Sequence, residues 1–176
     1  DELLDVYEKY PTKIARHFHI PLQAGCDNTL KRMKRKYLTS DYERVINKIR
    51  SRFPGIAITT DCLAGFVGET DNDFEDALEF IEKINFSSMH IFPYSRRKNT
   101  VADSLSGHLN PSVIHSRASI MIETAKNLKE EYEKVLSNVK TRGILGEIQL
   151  GSILMEILSP EQYDENVATK KGSRNV

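Results

Sequence analysis

Between residues 58 and 70 the chain reads Ile58-Thr-Thr-Asp-Cys-Leu-Ala-Gly-Phe-Val-Gly-Glu-Thr70, and this stretch narrows the fold more than any other. A β-branched apolar run changes at Gly65 into a glycine-punctuated turn, and Thr70 with Asp73 three residues on forms the signature of a capped helix start. A strand that passes through a tight loop straight into a helix belongs to a parallel sheet with helical crossovers, not to a hairpin. Ligands of such sheets collect beyond the carboxyl ends of the strands, so Gly65 to Glu69 is expected to border a site. Gly65 and Gly68 would let backbone approach a ligand closely, and Glu69 offers an acceptor to a hydroxyl or amine. An ordinary βα turn fits the same spacing.

The flanking sequence repeats the alternation. Residues 1–10 read as the tail of a helix ended by Pro11, and residues 16–22 as a short buried strand running into Gln23. Asp27 is expected to cap a short basic helix over residues 28–36, with Leu30, Met33 and Tyr37 inward. Ser40 and Glu43 suggest a capping box for a helix whose stripe is Tyr42, Val45, Ile46, Ile49 and Phe53, stopped by Pro54 and Gly55. After the strand over residues 56–63, Phe74, Ala77, Leu78, Ile81 and Ile84 mark the next helix, and residues 88–92 a third strand. Asn110 and Pro111 then open a long helix through Val113, Ile114, Ala118, Met121, Ile122, Ala125, Leu128, Tyr132 and Val135. The expected organisation is one α/β body over residues 1–137 and a distinct tail over 138–176, with one or two short strands over 141–158 and disorder in the last dozen residues.

Composition removes several classes. The 25 basic and 25 acidic side chains balance, so a uniformly basic nucleic-acid binder is excluded and any RNA contact must come from local patches. Two cysteines far apart, Cys26 and Cys62, make a disulfide framework unexpected, and neither has a neighbour at metal-ligand spacing. With no apolar run of membrane-spanning length and no signal peptide, a soluble cytoplasmic protein with no membrane partner is expected.

Three strand-end texts stand together: His19-Ile-Pro-Leu-Gln-Ala-Gly25, residues 59–70 quoted above, and His90-Ile-Phe-Pro-Tyr-Ser-Arg-Arg-Lys-Asn-Thr100. With the intervening Leu30-Lys-Arg-Met-Lys-Arg-Lys-Tyr37, they resemble the radical S-adenosylmethionine (SAM) tRNA methylthiotransferases, most closely the branch acting on threonylcarbamoyladenosine. The resemblance runs from about residue 1 to residue 137 and implies a partial TIM-type (βα)6 radical SAM barrel, of which this chain holds the C-terminal three βα units. It also implies an enzyme that adds a methylthio group to the modified adenosine next to the anticodon of tRNA, using S-adenosylmethionine and two 4Fe–4S clusters. Partners implied are tRNA, an electron donor protein and the N-terminal half of the same enzyme, which carries the cluster ligands, so this chain alone is expected to be inactive. Ala24, Val67, Asn99 and Val101 depart from the family pattern, which has serine, proline, glycine and proline there. Sister branches acting on isopentenyl-adenosine or on a ribosomal protein aspartate, and a non-catalytic α/β binding module, are the alternatives.

Carried onto this sequence, the resemblance makes Gln23, Asp61, Leu63, Gly65, Glu69, Phe92 and Tyr94 the cofactor-binding candidates and Arg96 and Arg97 the substrate-binding ones. The Gln23 amide can reach a ribose or the amino-acid end of the cofactor, and Leu63 can pack on adenine. Asp61 inside a strand needs a partner or a polar cavity, which favours a barrel-lining place. Phe92, Pro93 and Tyr94 end the sixth barrel strand, where backbone groups would read adenine. Arg96 and Arg97 could grip a phosphate or carboxylate as bidentate forks. His17, His19 and His90 are expected to be satisfied core histidines, and both cysteines small buried residues.

Overall fold

The computed structural model describes residues 2–141. They form α1 (Glu2–Lys9), β1 (His17–His19), α2 (Asp27–Arg32), α3 (Thr39–Arg52), β2 (Ala57–Ala64), α4 (Asp71–Ile84), β3 (Ser88–Pro93), a 3-10 turn (Ala102–Ser104) and α5 (Pro111–Thr141). The chain divides into two compact units, one spanning His17–Glu133 and the other made of the residues flanking it on both sides. The expected tail beyond residue 141 lies outside the described residues.

The three strands form one parallel sheet in the order β1-β2-β3, as the α/β alternation and the partial barrel require. Along β2 the burial alternates strictly: Ile58, Thr60, Cys62 and Ala64 are buried, and Thr59, Asp61 and Leu63 stay partly accessible. The buried row belongs to a core shared with Tyr42, Ile46 and Ile49 of α3, Phe80 and Ile81 of α4, and Phe86. Tyr42 meets Phe80 and Phe86 edge-on at 6.3 and 6.1 Å.

β1 is shorter than residues 16–22 because Pro21 has no N–H to give the ladder. The pairing resumes beyond it, with the Gln23 N–H donating to Asp61 O (2.9 Å) and the Leu63 N–H to Gln23 O (2.9 Å). Buried Thr60 bridges the gap, its hydroxyl accepting from the Leu22 N–H (2.8 Å) and donating to Ile20 O (2.7 Å). A side chain thus replaces the missing ladder bond.

Helix starts agree with the sequence in two places of four. The box at Thr70 and Asp73 is present, with the Asp73 N–H donating to Thr70 Oγ1 (3.1 Å) and the Thr70 N–H to Asp73 Oδ2 (2.9 Å). Asn110 Oδ1 accepts from the Ser112 N–H (2.9 Å) at the head of α5. α3, however, starts at Thr39 with Asp41 accepting from the Leu38 N–H (3.1 Å), not at a Ser40–Glu43 box. Asp27 does not cap α2 but is its first residue, and its carboxylate accepts from the Thr39 N–H (2.8 Å), pinning α3 to α2. α2 stops four residues early: Lys34 enters the left-handed region at φ 55°, and the Lys34 and Arg35 N–H groups close on Lys31 O and Leu30 O. Val45, Val113, Ile122 and Val135, placed on apolar stripes by spacing alone, are exposed.

Asp73 gathers more than its cap. Its buried carboxylate also accepts from Asn28 Nδ2 (2.9 Å), Arg32 (3.2 Å) and the Cys26 thiol (3.3 Å), so α2 and α4 share one anion. Burial alone would raise the Asp73 carboxyl, but donors from Thr70, Asn28 and Cys26 outweigh it and hold it well below the usual carboxylate range. A depressed folded value means stability that is present above the unfolded carboxylate range, near pH 4, and is lost as pH falls towards the folded value. Asp73→Asn should therefore cost about 2–3 kcal/mol at pH 7. Urea unfolding from pH 7 downward should show that difference shrinking in acid, and a constant difference would contradict the assignment.

Candidate functional site

Strand register builds one polar face. Residues paired across the sheet share a face, and the pairs His19↔Thr59, Asp61↔His90 and Leu63↔Phe92 fall on the accessible side. Asp61 sits between two imidazoles, with His19 Nε2 3.3 Å from Oδ2 and His90 Nδ1 3.2 Å from Oδ1. His19 Nδ1 lies 3.0 Å and His17 Nε2 2.7 Å from Thr59 Oγ1. The side chains of His19 and His90 are 39% and 71% exposed, which corrects their expected place in the core. One strand residue further, Leu63 and the exposed Phe92 form an apolar pair beside this polar row.

The strand ends hold the remaining candidates in unlike surroundings. Gln23 adopts φ 69°, unusual for a residue with a Cβ, and its Oε1 accepts from Arg35 (2.9 Å). Gly65 also has positive φ (76°), and a Cβ there would lie 2.9 Å from Ile114, so its missing side chain makes room for α5 rather than for a ligand. Glu69 turns inward: Oε1 accepts from the Gly65 N–H (3.1 Å) and from Arg117 (2.8 Å), both charged partners being buried. Burial pushes the Glu69 carboxyl up, with Arg117 opposing. This corrects its reading as an acceptor for ligand, since the carboxylate is engaged within the protein. The Tyr94 ring packs edge-on against Phe66 (5.2 Å) and stacks on His108 (6.3 Å). Arg96 is tied to Asp103 within its own loop, while Arg97 is exposed. Asn99, in the place where glycine is usual, takes the positive φ (66°) that such a position asks for.

So the fold brings Asp61, Leu63 and Phe92 together on one face, sets Gln23 at the neighbouring strand end, and gives Gly65 and Glu69 to the anchoring of α5. His19, His90 and Arg117 were missed as functional or anchoring residues. The signal for the histidines was present, because each lies at the same in-out phase as Asp61 once the strands are aligned in parallel. Arg117 carried none: a charge on the buried stripe of a helix has no sequence mark of its partner.

Cys26 and Cys62 do not suit an iron–sulfur cluster. Both thiols are buried, that of Cys26 donating to Asp73 and that of Cys62 to Gln23 O, and burial pushes the Cys62 thiol up to about 12. Among the described residues no three His, Cys, Asp or Glu side chains are grouped to hold a metal ion, and no helix is long and apolar enough to cross a membrane.

Comparison with known proteins adds the following. The Radical SAM superfamily model matches residues 1–81, and the RmuC family model matches residues 103–176. The chain is 42% identical over 147 residues to threonylcarbamoyladenosine tRNA methylthiotransferase MtaB of Thermotoga maritima, covering 84% of this chain and 33% of that protein. It is 36% identical over 138 residues to the protein of the same name from Bacillus subtilis (78% and 30%). With tRNA-2-methylthio-N(6)-dimethylallyladenosine synthase of Thermoanaerobacter sp. (strain X514) it shares 37% identity over 141 residues (80% and 29%). The chain spans about a third of the length of these curated relatives.

Proposed function

Because the chain belongs to the radical SAM tRNA methylthiotransferase family, we propose that it forms the C-terminal part of a barrel that methylthiolates threonylcarbamoyladenosine in cytoplasmic tRNA. The observation that carries this reading is the 42% identity to the Thermotoga maritima enzyme over 84% of the chain. We place the barrel portion at residues 1–137 and treat residues 138–176 as a separate segment.

S-Adenosylmethionine with a reduced iron–sulfur cluster supplies one-electron cleavage chemistry, and the cluster ligands belong to the remainder of the enzyme, since neither cysteine here is suited to the task. This chain's residues bind and orient. Leu63 and Phe92 offer an apolar shelf on which adenine can lie, and Asp61 in the next row provides an acceptor. Gln23, held by Arg35, keeps its amide nitrogen for the ribose or amino-acid end of the cofactor. Arg97, exposed on the loop after β3, suits a phosphate or carboxylate of the substrate nucleotide, while Arg96 fastens that loop through Asp103. An electron donor protein and tRNA are the partners this reading requires.

A segment exchange tests it. The matching third of the Thermotoga maritima enzyme is replaced by this chain, the cluster is reconstituted, and tRNA nucleosides are analysed by mass spectrometry. The expected product is methylthiolated threonylcarbamoyladenosine, with Leu63→Asp weakening cofactor binding by up to about tenfold. Product on isopentenyl-adenosine would assign the sister branch, and a cluster-loaded chimera that does not cleave S-adenosylmethionine would leave a binding module.

A further inference from the structure

Five side chains from three strands form one continuous run: His17, Thr59, His19, Asp61 and His90. Hydrogen-bond chemistry fixes its direction. An ionised carboxylate only accepts, so both imidazole nitrogens facing Asp61 must carry hydrogens, Nε2 of His19 and Nδ1 of His90. In its neutral form His19 then has a bare Nδ1, which takes the Thr59 hydroxyl hydrogen (3.0 Å), and Thr59 Oγ1 in turn accepts from His17 Nε2 (2.7 Å). At the far end neutral His90 is left with a bare Nε2. That nitrogen has no partner among the described residues, and its side chain is 71% exposed.

We infer that this relay holds His90 as the Nδ1–H tautomer so that its bare Nε2 accepts a hydrogen bond from an N–H or O–H of a planar ligand lying on Leu63 and Phe92. The apolar pair is the next registered row on the same face, about 7 Å along the strands, which is the spacing between the face of a nucleobase and a polar substituent at its edge. Asp61 and His19 are positioning residues: they set the tautomer and ring angle of His90, and they also face its ring as the titratable groups of the neighbouring strands, with His17 beyond them. Fully connected polar runs of this kind are retained where orientation matters, because each member fixes the next. The ligand's identity as the nucleoside of the tRNA substrate rests on the function proposed above; the relay and its free nitrogen do not.

Two measurements test the inference. Long-range nitrogen–proton correlation spectra of this 176-residue chain should show His90 as the Nδ1–H tautomer and His19 as the Nε2–H tautomer, with the His90 preference lost in Asp61→Asn. His90 as the Nε2–H tautomer, or a preference unchanged in Asp61→Asn, overturns the relay. In the segment-exchanged enzyme, His90→Gln retains an acceptor near the Nε2 position, and His90→Asn retains only a group near Nδ1. kcat/KM for tRNA should fall by up to about tenfold in His90→Asn and by less in His90→Gln. The reverse order would mean that His90 serves only to hold Asp61, and overturns the ligand contact. An exchanged enzyme with no product at all would count against the methylthio-transfer reading, and the tautomer spectra would still decide the relay.

Discussion

Arg117→Met should lower stability by about 3–5 kcal/mol in urea unfolding at pH 7. Arg117 is buried on α5, and its guanidinium donates to Glu69 Oε1 (2.8 Å), Glu69 O (3.0 Å) and Asp71 Oδ1 (2.5 Å) while lying 5.3 Å from the Phe74 ring centre. Removing it strands the Glu69 carboxylate away from water with only the Gly65 N–H as a listed donor's remnant on Oε1. The pH dependence has a definite sign. Burial already raises Glu69, so its protonated form is the one the folded state prefers, and the variant should recover stability as pH falls and lose it as pH rises. Adding Glu69→Gln should restore much of the loss, since a neutral amide is cheaper to bury than an unpaired charge. A single variant that loses less than about 1 kcal/mol, within the range of an exposed pair, would show that the two groups are not the anchor of α5.

Gly65→Ala should cost about 2–4 kcal/mol, from two independent sources. The position has φ 76°, where a Cβ meets its own backbone, and that Cβ would also lie 2.9–3.1 Å from Ile114 on α5. The two can be separated. Combining Gly65→Ala with Ile114→Ala removes the crowding but leaves the backbone strain, so the double variant should be less destabilised than the sum of the single ones. If the glycine instead serves to let a ligand approach, Gly65→Ala should leave unfolding unchanged, and the packing account fails.

Periodicity and punctuation made most of the architecture legible. The strand-loop-helix text around Gly65, the Thr70–Asp73 box and the Asn110–Pro111 start each depend on neighbours within a few residues, and each stands where the sequence put it. What failed depends on groups far apart in the chain. Asp27 was free by local rules to cap its own helix, but the Thr39 N–H twelve residues away claims its carboxylate. Glu69 looked like a ligand acceptor because Arg117, 48 residues on, could not be seen. The same holds for the accessible face. Asp61 was rightly suspected of needing a partner, yet the identity of those partners, His19 and His90, follows only from the register of three strands.

That register also governs how the chain acquires its fold. His19 meets Thr59 across 40 positions of sequence, and His90 meets Asp61 across 29, with no hairpin anywhere to offer a cheaper first contact. Every rung of the sheet must therefore close a long loop before it gains anything, which makes folding slow for the size of the unit. During synthesis β1 leaves the ribosome without a mate and waits until β2 has followed it, and β2 in turn keeps one edge bare until β3 emerges. The helices between them, especially α3 and α4 with their own caps, are what can form in the interval and shield the apolar side of each waiting strand.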